Sequence, residues 1–240
     1  MSFTLKTVAD KRILYVMAAD AEYGPHLKAR IAPFMTGVGP VEAAVQLTLA
    51  LCHLEAGGNL PDYVVSLGSA GSATLEQTAI YQATSVSYRD MDASPLFPRW
   101  ELPGYGGARL ACDTALTATL LQAASACLER AGGVFDVQDG GATPRVHQGL
   151  LASGDRFVSA AQDAHALRTT LHAAGHPVLA VEMEGAAVAQ VCADYRVPFA
   201  AMRTISDRAD DTAHVDFNRF VATVASRYAD HIVEAWLRLL

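Results

Sequence analysis

The chain has 240 residues, 51% of them hydrophobic and 18% charged, enough apolar material for a sizeable core and too much for a disordered chain. Its formal net charge of −7 comes without any block of Lys or Arg, so a small-molecule partner is expected and nucleic acid is not. No apolar run reaches the roughly 18 residues needed to cross a bilayer. Residues 1–6 lack the apolar core of a secretory signal, so a cytoplasmic protein without membrane contact is expected.

Residues 13–18, Ile-Leu-Tyr-Val-Met-Ala, read as a buried strand, with Asp20 and Glu22 just after it. Gly37-Val38-Gly39-Pro40 leads into a helix over 41–55, Pro40 suiting its start. Val41, Ala44, Val45, Thr48, Leu51 and Cys52 form its apolar stripe, and Gly57-Gly58 ends it. A dinucleotide reading of these glycines fails, because Glu42 occupies the third glycine position and no long strand precedes. A strand is expected over 63–67. Gly68-Ser69-Ala70-Gly71-Ser72 after it suits either a plain turn or an anion-binding nest of backbone N–H groups.

A longer strand is expected over 80–88. Residues 90–112, rich in Pro, Gly and aromatics, follow as a loop long enough to be functional or part of an interface. A helix over 113–130, stopped by Gly132-Gly133, comes next. A strand ending at 150–153 and a helix over 160–174 follow. Then come a strand over 178–183, a helix over 184–195 and a strand over 199–204. One long helix from Val215 onward closes the chain, with Phe220, Val224, Tyr228, Ile232 and Trp236 at spacings of four.

This alternation predicts an α/β fold: a single domain over residues 1–240, with 1–11 as an N-terminal extension and a central mixed, mostly parallel sheet flanked by helices. Ligands of such sheets bind beyond the carboxyl ends of the strands. Polar residues gather there: Glu22, Ser69, Ser153-Gly154-Asp155, Glu182-Met183-Glu184, and Arg203 through Asp207. The helix dipole favours a carboxylate in a first turn by about 0.3–1 kcal/mol, which accounts for one of Glu182 and Glu184 better than for both. Two carboxylates spaced by two at a strand end point the same way, an arrangement suited to the vicinal hydroxyls of a sugar. Arg203 and Asp207 could equally be a structural ion pair. The four cysteines lie far apart and the eight histidines show no ligand spacing, so no metal site or disulfide framework is expected.

Taken together, the motifs resemble the nucleoside phosphorylase/nucleosidase family, and most closely the bacterial 5′-methylthioadenosine/S-adenosylhomocysteine nucleosidases. The blocks that carry the resemblance are LGSAG (67–71), SGDRF (153–157), VEMEGAAVAQVC (181–192) and VPF (197–199) through RTISDRAD (203–210). The resemblance implies a hydrolase that needs no cofactor, releases adenine from a 5′-modified purine nucleoside, and works as a homodimer. Glu22 matches the carboxylate that activates the attacking water, with Ser69 and Arg203 shaping the water's site. Phe157 matches the aromatic that stacks on the purine, and Val158 the backbone that reads its edge. Met183 and Glu184 match ribose contacts, with Glu182 beside them as a further contact or a support. Asp207 matches the acid to the leaving adenine, next to Ser206. Val38, Gly71 and Phe217 complete the implied substrate contacts.

The chemistry is coherent with those types. Cleaving an N-glycosidic bond builds positive charge on the ribose and negative charge on the base, so a carboxylate at the sugar and a proton donor at the purine both act differentially on the transition state. The chain departs from the family pattern at Pro40, where a Lys is usual, at Gln77-Thr78-Ala79-Ile80, and in the fourteen residues between Glu22 and Gly37, where further strands are usual. Residues 90–100 follow the 5′-pocket pattern loosely. A purine nucleoside phosphorylase is the nearest alternative, but the approach to Gly68, Val64-Val65-Ser66-Leu67, lacks the phosphate-clamping arginine. A futalosine-type nucleosidase and a non-catalytic nucleoside-binding protein are the others.

Overall fold

The computed structural model describes residues 4–130, 144–220 and 224–240. Its elements run β1 (Lys6–Val8), β2 (Lys11–Met17), α1 (Asp20–Lys28), β3 (Phe34–Met35), α2 (Pro40–Ala56), β4 (Tyr63–Gly71), β5 (Ile80–Tyr88) and β6 (Leu110–Ala111). Then follow α3 (Thr114–Arg130), β7 (Val146–Ser153), α4 (Ala161–Ala173), β8 (Val178–Glu182), α5 (Gly185–Asp194), β9 (Phe199–Asp207), α6 (Ala213–Phe220) and α7 (Ser226–Leu237).

The strands make one mixed sheet whose long ladders are parallel: β4 with β9, from Val64↔Phe199 to Gly71↔Asp207, and β5 with β7, from Ile80↔Val146 to Tyr88↔Ser153. β9 also pairs antiparallel with β5, and β8 joins β7 to the end of β4, so β4, β8, β7, β5 and β9 close a ring. β9 is buried along its whole length; its first half, Phe199 to Met202, is a continuous apolar run as a strand buried on both faces requires, and its second half, Arg203 to Asp207, carries buried polar groups. One face is covered by α2 and α5, which bring Leu47, Leu51, Val188 and Cys192 onto Leu14, Tyr81 and Leu151. The other is covered by α1, α3 and α7, with Leu27, Leu120, Tyr228, Ile232 and Trp236 packed against Tyr15 and Ile80. Gly185, Ala186, Ala187, Val188 and Ala189 are all buried; such small residues let α5 lie close on the strands. Among the described residues no helix is long and apolar enough to cross a membrane.

The structure departs from the sequence-based expectations at several places. Lys6–Val8, within the stretch expected to be an extension, forms edge strand β1, antiparallel to β2. Strands of two or three residues such as β1, β3 and β6 carry too few side chains for a period to show. Helix α1 was not expected, because Gly24 and Pro25 interrupt it; Gly24 has φ +52° and kinks it. The apolar stripe of α2 is turned: Ala43, Leu47, Ala50 and Leu51 face the core, whereas Val41 is 71% exposed, Val45 and Leu49 are about half exposed, and Cys52 is exposed too. Strand β9 runs three residues beyond the expected end and carries Asp207 in the sheet. The long C-terminal helix is described as α6 and α7, with 221–223 outside the described residues, as is the Gly132-Gly133 stop. Phe220, Tyr228, Ile232 and Trp236 are buried as their spacing requires.

Candidate active site

The ends of β2, β4, β5, β7, β8 and β9 open on a cavity of about 400 Å³. Glu22, Ser69, Gly71, Phe157, Val158, Glu182, Met183, Glu184, Ser206, Asp207, Val38 and Phe217 all line it, so residues spread over nearly 200 positions of sequence meet in one place. Arg203 does not reach this cavity. It borders a second, water-sized one of about 10 Å³, together with Glu22, Ser69 and Glu184.

Glu22 lies in the first turn of α1 and is buried. Its Oε1 accepts the backbone N–H of Ser69 at 2.8 Å and the Ser69 hydroxyl. Residues 68–71, expected as a plain turn or an anion nest, instead continue strand β4 alongside β9, and it is the N–H and hydroxyl of Ser69 that hold this carboxylate of the same chain. A Cβ on Gly68 would meet Glu22 Oε1 at 3.2 Å, so the bare backbone makes room for that carboxylate. Burial pushes the Glu22 carboxyl up, against the pull of the Ser69 hydrogen bonds and the Arg203 charge.

Glu182 and Arg203 form a buried salt bridge of 2.9 Å. Glu182 also accepts the Ser153 hydroxyl and the N–H groups of Glu184 and Gly185, so it caps the start of α5. Arg203 donates in addition to the Ser66 carbonyl, the Ser66 hydroxyl and the Met202 carbonyl. The Arg203–Asp207 pair left open by the sequence is thus replaced by Arg203–Glu182. Four protein donors occupy Glu182, which lines the cavity but acts as a support for the groups around it.

Glu184 is the carboxylate left facing the cavity. Its Oε1 accepts the Gly39 N–H at 2.7 Å, while Oε2 has no partner among the described residues. Gly39, the residue before α2, has φ +92°, a conformation glycine adopts without strain; this backbone approaches Glu184. Burial first, then the Glu182 charge, pushes the Glu184 carboxyl up to about 8 from its ordinary 4.5.

That shift has a consequence for stability. Between the two values the folded chain holds a proton that the unfolded chain has lost, so stability falls as pH rises. The melting temperature of the wild type should therefore drop more than that of Glu184→Gln between about pH 5 and about pH 8. Equal drops in the two proteins would contradict the placement of Glu184.

Asp207 ends β9 and is 2% exposed. Its Oδ1 accepts the Ala209 N–H at 2.8 Å, and Ser206 Oγ lies 2.7 Å from Oδ2. The same hydroxyl lies 3.3 Å from the Ala70 carbonyl. With one hydrogen, it can donate to the carboxylate or turn to Ala70 and accept from a protonated Asp207. A Cβ on Gly71 would stand 2.7 Å from Asp207 Oδ1, so glycine is required where β4 and β9 meet. Phe157 and Phe217 make an edge-to-face pair at 6.1 Å on the cavity wall, and Val158 is buried beside them.

Sequence reasoning passed over two charged wall residues, Arg89 and Arg156. The signal for Arg89 was available: a charged residue directly after a strand that ends at the site.

A mixed α/β sheet thus gathers carboxylates, hydroxyls and an aromatic wall around one cavity at its strand ends, the place where such sheets bind their ligands. The chain belongs to the phosphorylase superfamily, whose family model matches residues 20–238. It is similar to the 5′-methylthioadenosine/S-adenosylhomocysteine nucleosidase of Neisseria meningitidis in complex with methylthio-immucillin-A, at 25% identity and a TM-score of 0.75, covering 95% of this chain and 99% of that one. The S-adenosylhomocysteine nucleosidase of Streptococcus pyogenes, in complex with 5-methylthiotubericidin, matches at 25% identity and 0.76, over 95% and 96%. A futalosine hydrolase mutant of Helicobacter pylori shares the fold at 22% identity and 0.76, over 95% and 99%.

Proposed function

We propose that the protein hydrolyses the N-glycosidic bond of a 5′-modified adenine nucleoside, methylthioadenosine or S-adenosylhomocysteine, and releases adenine. The observation that carries this reading is the water-sized cavity bounded by Glu22, Ser69, Glu184 and Arg203 beside the main one. Two carboxyl groups at that place suit a water and offer phosphate no cation. The guanidinium nearest to them, Arg203, is committed to Glu182 and Ser66.

In this reading the purine lies against Phe157 and along the Val158 backbone, near Asp207. The ribose lies over Met183, with Glu184 accepting its hydroxyls. Glu22 takes the proton of the water that attacks the anomeric carbon, and Asp207 gives its proton to the departing base. Glu182 and Arg203 hold the walls in place. The experiment is direct: mix the protein with methylthioadenosine and follow adenine. Release at enzymatic rates supports the reading; binding without release would make the protein a nucleoside carrier.

The homodimer implied by the resemblance finds support in the turned stripe of α2. Val41, Val45 and Leu49 are exposed there, and Leu96, 84% exposed, stands out with Phe97 from the 90–112 loop. A row of exposed apolar side chains on one helix is the composition of an interface core. Trp100 and Leu102 of the same loop are buried in their own chain and are not available to a partner, whereas Leu96 and Phe97 are. Sedimentation at micromolar concentration should give a dimer, and Val41→Asp with Leu49→Asp should give a monomer. A wild-type monomer with full activity would overturn this part.

A further inference from the structure

Arg89 is buried on the cavity wall directly after β5, and nothing in the reaction just described uses it. Its Nη2 donates to two backbone carbonyls, that of Gly154 at 3.1 Å and that of Arg156. The next residue, Asp90, accepts the backbone N–H of Asp155 through Oδ2 at 2.7 Å. Two consecutive side chains thus tie three consecutive residues, 154 to 156, of the loop that delivers Phe157 and Val158 to the cavity. The fit is close: a Cβ on Gly154 would fall 2.7 Å from Asp90 Oδ2 and 2.8 Å from Arg89 Cγ and Cζ.

The clamp is itself held. The Arg89 N–H donates to the Ser153 carbonyl at 2.8 Å, continuing the β5–β7 ladder. The Arg89 carbonyl accepts the Trp100 indole N–H at 3.1 Å, and Trp100 is packed in turn among Leu150, Leu171 and Val178. Arg89 makes no salt bridge among the described residues; its Nη2 donates to the two carbonyls, while its Nε is buried without a hydrogen-bond partner. A buried guanidinium is costly to keep without a paired anion, so shaping this loop is the return visible in the structure.

We propose that Arg89, with Asp90, is the positioning residue of the purine-binding loop, setting the Phe157 ring and the Val158 backbone for the base. The proposal rests on the nucleosidase reading for the identity of the base, and the test separates the two. Compare wild type, Arg89→Met, Arg89→Lys and Asp90→Ala; Asp90 is on the surface, so its variant should fold. Measure amide hydrogen exchange over 154–158, the affinity for free adenine, and KM and kcat for methylthioadenosine.

Arg89→Met and Asp90→Ala should speed exchange over 154–158 by about 10-fold or more, the scale of one lost charge-assisted hydrogen bond, with α7 unchanged. They should weaken adenine binding and raise KM by a similar factor, with kcat changed less. Arg89→Lys should recover part of the loss. Unchanged exchange over 154–158 in Asp90→Ala would overturn the clamp. So would unchanged adenine affinity in both variants of a wild type that binds adenine. A wild type that neither binds nor releases adenine would overturn the nucleosidase reading instead, while the exchange measurement still decides the clamp.

Discussion

Asp207→Asn should lower kcat by at least about 10²-fold, the usual scale for a lost general acid, and leave the fold intact. Asparagine fills the same volume, and its amide oxygen can still accept the Ala209 N–H that holds Oδ1. What it cannot do is deliver a proton to the departing base. The Ser206 hydroxyl, placed between Asp207 and the Ala70 carbonyl, can donate to the carboxylate or turn toward Ala70 and accept from a protonated Asp207, as the proposed role requires. Methylthioadenosine affinity should change much less than turnover, since the acid acts on charge that appears only in the transition state. Turnover within threefold of wild type would remove Asp207 from the mechanism.

The second large effect is expected for Glu22→Gln, a loss of about 10²–10⁴ in kcat, the range for a general base. The substitution is conservative in shape, and a glutamine oxygen can still accept the Ser69 N–H that now holds Oε1. The raised carboxyl of Glu22, due first to burial, makes the ionised form a better base than an exposed glutamate, and glutamine has no such form. Adenine binding should change much less than turnover, because Glu22 lines the main cavity but also borders the water-sized one, which Phe157 and Val158 do not. A loss confined to KM would make Glu22 a binding group only.

Much of this site was legible because its residues stand at strand ends. A strand end is marked in sequence by an apolar run that stops at a polar residue, and VEMEG, RTISD and LGSAG each show that mark. The partners of those residues were not legible. Nothing local says that Arg203 pairs with Glu182, or that the glycine before α2 donates to Glu184; both depend on where distant elements meet. Helix α2 shows the limit of periodicity most clearly. It is apolar on two faces, so its stripe fits the helical period whichever face lies inward, and packing of Leu47 and Leu51 against the sheet decides it. Trp100 gives the same lesson in a loop: the aromatic that suggested an interface is a core residue of its own chain.

The most direct test of hydrolysis is the fate of the sugar. Incubate the protein with methylthioadenosine in phosphate-free buffer, then again with phosphate added, and identify the sugar released. The structure predicts the same rate of adenine release in both and free methylthioribose as the product, because Glu22 and the committed Arg203 surround a place for water. Adenine release that requires phosphate, with a sugar 1-phosphate as the product, would contradict it.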